Sequence, residues 1–187
     1  APVFGCFCNP SKVNRKVAAL WSEILRRSPG STLRLRYRGR YLSEEACARI
    51  RDEFTARGID GGRILFDGRE LDLAAHLTFY NDLDVALDTF PFAGSTGTFE
   101  ALWMGVPVVT LERDNMVGRW TGAMLGALGL DAWIARDEEA YVSTALKLAA
   151  GGGPVAGEAL RALLRASPLC DGAARVRQFE RALRAIW

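Results

Sequence analysis

A run of glycine and hydroxyl-bearing residues near the middle of the chain has the composition of an anion-binding loop. It follows a short apolar, β-prone segment at residues 85–87 and comprises Gly94, Ser95, Thr96, Gly97 and Thr98. We expect a helix to begin near Ser95 or Thr96, so that the hydroxyls and the free N–H groups of its first turn form a concave donor surface that fits a diphosphate. Ordinary helix capping uses the same residue types, so this pattern alone leaves both interpretations open.

A carboxylate follows this loop about one helical turn further along the chain. Glu100 cannot itself bind phosphate, but it can accept hydrogen bonds from a vicinal diol such as a ribose. Gly105 is expected to end the short helix, and residues 106–111 have the apolar character of a buried parallel strand. Strand, loop, helix start and carboxylate together predict a sugar-nucleotide site.

The overall composition limits the classes of function. The 187 residues suffice for one domain with a substantial core, and the formal net charge of +2 argues against a nucleic-acid surface or a polybasic membrane patch. No segment has the length of a transmembrane helix, so we expect no membrane partner and a cytoplasmic protein. The four cysteines lack metal-binding spacing and are expected to be buried, reduced thiols. The missing initial methionine suggests a piece of a longer protein.

Segments with the periods of strands and helices alternate along the chain. Such alternation with short connections predicts an α/β fold, a doubly wound parallel sheet of the Rossmann type, in which ligands bind beyond the carboxyl ends of the strands. The predicted strands are residues 3–7, 32–37, 63–66, 85–87, 106–111 and 132–134. The predicted helices are residues 14–27, 43–57, 71–80, 96–104, 118–128, 138–149, 157–166 and 173–186.

Three glycines and a proline at residues 151–154 separate the last two helices from the alternating part of the chain. We therefore assign residues 1–150 to a nucleotide-sugar-binding domain and residues 151–187 to a C-terminal helical extension of the same domain. We expect the final helix to pack on this domain through an apolar stripe, and packing across to a second lobe is the alternative. The stripe consists of Val176, Phe179, Leu183 and Ile186.

Several separate blocks of sequence match one known family in the same order, from end to end of the chain. They are Asn9 to Lys12 followed by Trp21, residues 63–66, His76 followed by residues 84–89, residues 94–100, Leu102 and Trp103, residues 105–110, Gly118 and Arg119, residues 167–171, and Trp187. In these blocks the chain resembles the C-terminal catalytic lobe of protein O-linked N-acetylglucosamine transferases and of the related SPINDLY-like tetratricopeptide proteins of bacteria.

The resemblance implies the nucleotide-sugar-binding half of a GT-B glycosyltransferase, with UDP-N-acetylglucosamine as the donor. By the same resemblance Lys12 contacts the donor diphosphate and is the catalytic residue, because a cation there can offset the charge that develops on the leaving nucleotide. Asn9 stands where relatives usually have glutamine and is expected to reach toward the phosphates. The residues implied to wrap the diphosphate are Gly94, Ser95, Thr96, Gly97 and Thr98, among which Thr96 matches the family best and Gly97 lacks a hydroxyl.

Two further residues have implied roles on the nucleoside side of the donor. His76, the only histidine, is expected to pack against the uracil base, although a lone histidine on the apolar side of a helix is more often structural. Glu100 stands where the family uses an acid to hold the ribose hydroxyls. The residues around position 70 differ from the better-known members, which leaves the base less certain than the diphosphate. We expect structural roles for Asp82, Asp84 and Arg119.

The implied reaction is inverting transfer of the sugar to Ser or Thr hydroxyls of proteins, with no metal and no other cofactor. In the family a second lobe and tetratricopeptide repeats bind the acceptor protein, so the isolated chain is expected to be inactive. Two alternatives stay open: a GT-B-type sugar-nucleotide epimerase, which would usually need more acid–base groups than one histidine provides, and a non-catalytic nucleotide-binding module. The donor could also be another nucleotide sugar, such as GDP-fucose.

Overall fold

The computed structural model describes residues 1–187 and contains one six-stranded sheet whose strands are all parallel. The strands are β1 (Val3–Cys6), β2 (Thr32–Arg36), β3 (Ile64–Asp67), β4 (Val85–Leu87), β5 (Val108–Leu111) and β6 (Ile134–Ala135). Their order in space is β3-β2-β1-β4-β5-β6. β4 precedes the glycine- and hydroxyl-rich loop and β5 follows the helix that this loop begins. Both strands are buried at every residue, as expected of strands covered on both faces.

Eight α-helices surround the sheet. They are α1 (Arg15–Arg27), α2 (Glu44–Thr55), α3 (Leu73–Thr78), α4 (Thr96–Trp103), α5 (Trp120–Ala127), α6 (Glu138–Ala149), α7 (Gly157–Ala166) and α8 (Gly172–Ile186). Local capping fixes where several of them begin: the side-chain oxygens of Asn14, Ser43 and Asp137 accept first-turn N–H groups of α1, α2 and α6.

The strand order confirms the predicted doubly wound fold. From β1 the chain moves through β2 to β3 in one direction, and it then returns to β4 and moves through β5 to β6 in the other. Right-handed crossovers therefore place the helices of the two halves on opposite faces. β1 and β4 lie side by side, with Phe4 opposite Val85, and the chain leaves their carboxyl ends in opposite directions. This reversal opens a crevice beyond those two strand ends.

The short helix α4 ends as the sequence predicted. Gly105 has φ +80°, a left-handed conformation that costs little only for glycine, and the N–H of Val106 bonds to the carbonyl of Ala101 at 2.9 Å. Gly105 also attaches the C-terminal segment to α4, because the N–H of Gly157 donates to the carbonyl of Gly105 at 2.7 Å. α7 packs against α4 through fully buried Leu160 and Leu164.

Most predicted elements differ from the observed ones by one or two residues at an end, and three of them adjoin 3₁₀ helices. The predicted helix at 71–80 is α3 followed by a 3₁₀ helix over Phe79–Asp82, and the one at 118–128 is preceded by a 3₁₀ helix over Met116–Arg119. The predicted strand at 132–134 is mostly the 3₁₀ helix Asp131–Trp133, and β6 follows it. In each case local tightening of the backbone into a 3₁₀ turn moves the boundary.

The expectation that α8 packs on this domain is wrong. Its apolar stripe is exposed by 58% at Val176, 66% at Phe179, 47% at Leu183 and 83% at Ile186, and the helix has no buried residue. α7, in contrast, packs against α4. Of the C-terminal extension, α7 therefore belongs to the packed domain and α8 projects from it.

None of the eight α-helices combines the length and the apolar character that crossing a membrane requires.

Candidate functional site

Two adjoining cavities lie beyond the carboxyl ends of β1 and β4. The first, of about 230 Å³, is lined by Asn9, Lys12 and residues 94–98, and the second, of about 290 Å³, by His76 and Glu100 among others. Four residues line both cavities and join them into one crevice: Phe7, Tyr37, Thr96 and Gly97. The structure thus brings together every residue that the sequence predicted for the site.

Lys12 ends a 3₁₀ helix, Pro10–Lys12, in the loop after β1. Its ammonium group donates a hydrogen bond to the carbonyl of Ala93 at 3.0 Å and lies 4.1 Å from the centroid of the Phe92 ring. These contacts hold the cation against the loop that follows β4. Because an ammonium group has three N–H donors, the position leaves capacity to bind an anion in the first cavity.

Two asparagines shape the same loop. The side-chain oxygen of Asn9 accepts the N–H of Ser11 at 3.0 Å, and no other side-chain hydrogen bond engages Asn9, so its amide N–H groups are available to a ligand. Asn14 caps α1 with its oxygen and donates its amide to the carbonyl of Phe90 at 2.7 Å. Asn14 therefore fixes the spacing between the loops after β1 and β4.

The start of α4 presents unpaired backbone donors to the crevice. The N–H groups of Thr96, Gly97 and Thr98 have no acceptor within the protein, and the Ser95 side chain does not cap them. Such N–H groups, with the positive end of the helix dipole, attract an anion. A side chain at Gly97 would put its Cβ 3.3 Å from the carbonyl oxygen of Phe7. Glycine at this position therefore allows the start of α4 to lie close to the loop after β1.

Two of the predicted donors are already engaged, which narrows the expected anion-binding surface. The hydroxyl of Thr98 is buried and lies 3.0 Å from that of Thr121. The N–H of Gly94 donates to the carboxylate of Asp88 at 2.6 Å. The free donors at this helix start are therefore the three backbone N–H groups and the exposed hydroxyls of Ser95 and Thr96.

Asp88, which the sequence analysis did not single out, organises the loop before α4. Its buried carboxylate accepts the N–H groups of Thr89 at 2.8 Å and Gly94 at 2.6 Å, and the hydroxyl of Thr110 at 2.7 Å. Burial raises the pKa of Asp88, and the hydrogen bonds partly oppose that rise. A polar residue directly after the buried strand β4 is the signal that could have identified it.

Glu100, which lines the second cavity, lies between the side chains of His76 and Tyr80. Its Oε2 accepts hydrogen bonds from the hydroxyl of Tyr80 at 2.9 Å and from Nε2 of His76 at 3.1 Å. Burial, and then the nearby Glu100 carboxylate, raise the pKa of Tyr80, so the phenol stays protonated and donates. Oε1 of Glu100 has no partner, which leaves one carboxylate oxygen to accept hydrogen bonds from a diol.

Arg36, at the carboxyl end of β2, is a second residue that the sequence analysis missed. It is almost fully buried, pairs with Asp67 at 2.6 Å, and donates from Nε to Nδ1 of His76 at 3.2 Å. Burial alone would raise the pKa of Asp67, but hydrogen bonds from Arg69 and the charges of both arginines lower it. Asp67, Arg36, His76 and Glu100 therefore form one chain of charge-assisted hydrogen bonds.

We predict that His76 is the neutral Nε2–H tautomer in the folded protein. A guanidinium group can only donate, so Nδ1 must accept from Arg36 and the ring proton must lie on Nε2, facing Glu100. Because His76 is the only histidine, its two ¹⁵N resonances can be assigned without ambiguity by two-dimensional NMR. An Nδ1–H signal in the protein would contradict the prediction.

The structure gives structural roles to the other polar residues that the sequence singled out. Asp82 pairs with Arg34 at 2.7 Å, and Asp84 accepts the N–H of Val3 at 2.7 Å at the edge of the sheet away from the crevice. Arg119 donates to the carbonyl of Asp114 at 2.6 Å. The structure contains no group of three or more His, Cys, Asp or Glu side chains that could hold a metal ion.

All four cysteines are free thiols. Cys6, Cys8 and Cys47 are buried, as predicted, whereas Cys170 is exposed, which corrects that part of the prediction. The hydrogen bond that the neutral Cys6 thiol donates to Cys8, and then burial, raise the pKa of Cys6, so that thiol stays protonated.

Comparison with known proteins identifies relatives along the whole chain. The family model described as Glycosyl transferase family 41 matches residues 1–166. A probable UDP-N-acetylglucosamine–peptide N-acetylglucosaminyltransferase SPINDLY from Solanum lycopersicum is 34% identical over 190 residues, which cover 98% of this chain and 20% of that protein. A UDP-N-acetylglucosamine–peptide N-acetylglucosaminyltransferase from Caenorhabditis elegans is 34% identical over 148 residues, which cover 76% of this chain and 12% of that protein.

Solved structures agree with the predicted fold. A Thermobaculum terrenum O-GlcNAc transferase mutant superposes with a TM-score of 0.90 and 37% identity, over 100% of this chain and 36% of that one. A sucrose-phosphate synthase from Thermosynechococcus elongatus, at a TM-score of 0.66 and 17% identity, shares the fold alone. The chain has the Rossmann-like fold of one half of a GT-B glycosyltransferase and spans a fifth or less of the curated relatives named above. It belongs to glycosyl transferase family 41.

Proposed function

We propose that this chain is the donor-binding lobe of an inverting glycosyltransferase that transfers N-acetylglucosamine from UDP-N-acetylglucosamine to Ser or Thr of proteins. The observation that carries the proposal is the continuous crevice: a fixed cation and free helix N–H groups lie in one cavity, and a half-satisfied carboxylate lies in the next. A nucleoside diphosphate has the matching order of groups, phosphates followed by a ribose diol. The named relatives, described as N-acetylglucosaminyltransferases, support the choice of donor and of a peptide acceptor.

Each predicted site residue has a role in this proposal. The ammonium of Lys12 and the amide of Asn9 bind the diphosphate from one side, and the start of α4, from Gly94 to Thr98, binds it through backbone N–H groups and the hydroxyls of Ser95 and Thr96. Gly94 and Thr98 act through the shape of the loop, since their other donors are engaged.

On the nucleoside side, Oε1 of Glu100 accepts the ribose hydroxyls, and the ring of His76 packs against the base. His76 also holds Oε2 of the same carboxylate, so it positions Glu100 as well as the base. Arg36 in turn orients the imidazole ring.

During transfer, negative charge develops on the nucleoside diphosphate as the bond to the sugar breaks. Lys12 and the positive end of α4 stabilise that charge where it appears, which is the function that a divalent cation serves in metal-dependent enzymes. We therefore propose that the reaction needs no metal. The acceptor hydroxyl attacks the opposite face of the sugar, so the configuration at the anomeric carbon inverts.

We propose that the acceptor protein binds to a second lobe and to tetratricopeptide repeats of a longer protein. The group that takes the proton of the acceptor hydroxyl is proposed to lie outside this chain as well. The exposed stripe of α8 is the surface of this chain that is available to a second lobe. We accordingly expect the 187-residue chain to bind donor nucleotide and to transfer no sugar. Detectable glycosylation of a Ser- or Thr-containing peptide by the purified chain would contradict this expectation.

The donor proposal is tested by thermal shift and calorimetry with UDP, UDP-N-acetylglucosamine, GDP and GDP-fucose. Ligands that bind only the folded state raise its stability, and at equal concentrations the tighter ligand raises it more, so the preferred donor should give the largest increase in Tm. We expect UDP and UDP-N-acetylglucosamine to stabilise the chain more than the two guanine nucleotides. A larger increase in Tm with GDP-fucose would identify GDP-fucose as the donor instead. No increase with any of the four nucleotides would reject the nucleotide site itself.

A further inference from the structure

We propose that Arg38 is a second cationic contact for the donor diphosphate and binds the phosphate next to the nucleoside, while Lys12 binds the outer one. The inference rests on the proposed function, since it assigns a residue to the same donor site. Arg38 lies in the loop after β2, a segment for which neither the sequence pattern nor the family resemblance suggested a role.

The backbone around Arg38 is fixed to the neighbouring strand. The N–H of Tyr37 donates to the carbonyl of Asp67 at 3.2 Å, and the N–H of Gly39 donates to the carbonyl of Gly68 at 2.8 Å. Gly39 has φ +69°, which allows the chain to turn directly after Arg38. The root of the Arg38 side chain is therefore held at the wall of the crevice by hydrogen bonds on both sides.

The guanidinium group of Arg38 is unpaired, in contrast to those of its neighbours. Arg36 and Arg69 both pair with Asp67, whereas Arg38 forms no side-chain hydrogen bond and no ion pair in the structure. It nevertheless lines the second cavity together with Thr96 and Gly97, whose backbone N–H groups are free. An unpaired arginine on a fixed backbone, beside unpaired N–H groups, forms a surface that favours a polyanion.

The remaining charges of this cavity do not neutralise Arg38. Glu100 is the only acidic residue that lines it, and Oε2 of that carboxylate is engaged by His76 and Tyr80. An anion that lies over the start of α4 would therefore meet a cation on either side.

The positions of the two cations assign them to different phosphates. Lys12 lines the first cavity and Arg38 lines the second, and Thr96 and Gly97 lie in both. The second cavity also contains the groups proposed to bind the ribose and the base, so the phosphate that enters it is the one bonded to the nucleoside. A planar guanidinium group can donate two parallel hydrogen bonds to that phosphate.

The test compares Arg38→Ala with Arg40→Ala in the 187-residue chain. Arg40 is likewise an exposed, unpaired arginine, at the start of the 3₁₀ helix Arg40–Leu42, and does not line either cavity, so its removal changes the net charge by the same amount. Dissociation constants for UDP, UMP and uridine are measured by calorimetry at one salt concentration, with circular dichroism as the check on folding.

Arg38→Ala should weaken UDP and UMP binding about tenfold each and leave uridine binding unchanged, because a charge-assisted contact to one phosphate is lost. Arg38→Lys keeps the positive charge but loses the paired N–H donors of the guanidinium group, so its UDP affinity should lie between those of Arg38→Ala and the unmodified chain. Arg40→Ala should change UDP binding less than about twofold. Equal losses for Arg38→Ala and Arg40→Ala, an unchanged UDP affinity in Arg38→Ala, or an equal loss of uridine binding would overturn the assignment. Failure of the unmodified chain to bind UDP would instead reject the proposed function, and the role of Arg38 with it.

Discussion

Lys12→Ala should weaken the binding of UDP to this chain by roughly 10- to 100-fold, the equivalent of a charge-assisted hydrogen bond of about 1.5–3 kcal/mol. The effect should be large because the ammonium group is already held in place by the carbonyl of Ala93 and the ring of Phe92. A pre-positioned cation loses little conformational freedom when the ligand binds, so most of its interaction energy contributes to affinity. Uridine, which has no phosphate, should bind Lys12→Ala and the unmodified chain equally well.

Lys16→Ala is the matched control for this experiment. Lys16 is four residues away on α1, is exposed, and forms no side-chain hydrogen bond or ion pair, so its removal tests the general effect of losing one positive charge. Calorimetry should show a change of less than about twofold for this variant, because charges in solvent are screened. If Lys12→Ala and Lys16→Ala bind UDP with the same affinity, Lys12 has no specific role in the site.

Asp88→Ala should lower the free energy of unfolding by about 3 kcal/mol, which corresponds to a decrease in Tm of roughly 6–12 °C for a chain of this size. The substitution leaves the buried N–H of Thr89, the partly buried N–H of Gly94 and the buried hydroxyl of Thr110 without their acceptor, at about 1–3 kcal/mol each. Removing a buried carboxyl group, which is itself costly to desolvate, offsets part of that loss. The loop of residues 89–94 should also loosen, so the remaining folded protein should bind UDP more weakly.

Two variants separate the role of the Asp88 carboxyl from a general loss of packing. Asp88→Asn keeps an oxygen for the two N–H groups and can donate its amide to the hydroxyl of Thr110, so it should cost about 1 kcal/mol or less. Asp84→Ala, at the other end of β4, removes a single exposed hydrogen bond to Val3 and should also cost about 1 kcal/mol or less. If urea unfolding gives Asp88→Ala the same loss of free energy of unfolding as either control variant, the hydrogen bonds of Asp88 do not organise the loop.

Much of the fold could be predicted from the order of its periodic segments. The helix starts near Asn14 and Ser43 and the terminating glycine at position 105 were recognisable because these residues act on their own backbone neighbours. The ends of α3, α5 and β6 shifted because these elements adjoin 3₁₀ turns, in which the backbone hydrogen bonding changes.

The site could be predicted in part because its loops occupy a topologically defined position. Once the alternating elements indicate a doubly wound sheet, polar residues at the carboxyl ends of β1 and β4 must meet at the switch point. Asp88 and Arg36, the two residues that sequence reasoning missed, also stand at or directly after the carboxyl ends of strands. Their partners, Thr110 for Asp88 and His76 for Arg36, lie 22 and 40 residues away, so no local pattern reveals them.

The sequence by itself therefore determined the class of fold, the edge of the sheet at which the proposed ligand site lies, and the residue types that face it. Only the tertiary structure decided which donors are free. It commits the hydroxyl of Thr98 and the N–H of Gly94 to internal partners, leaves Arg38 unpaired, and exposes the apolar stripe of α8. The physical reason is that strand and helix periods arise from local backbone geometry, whereas the pairing and burial of a polar group depend on atoms that distant segments bring to it.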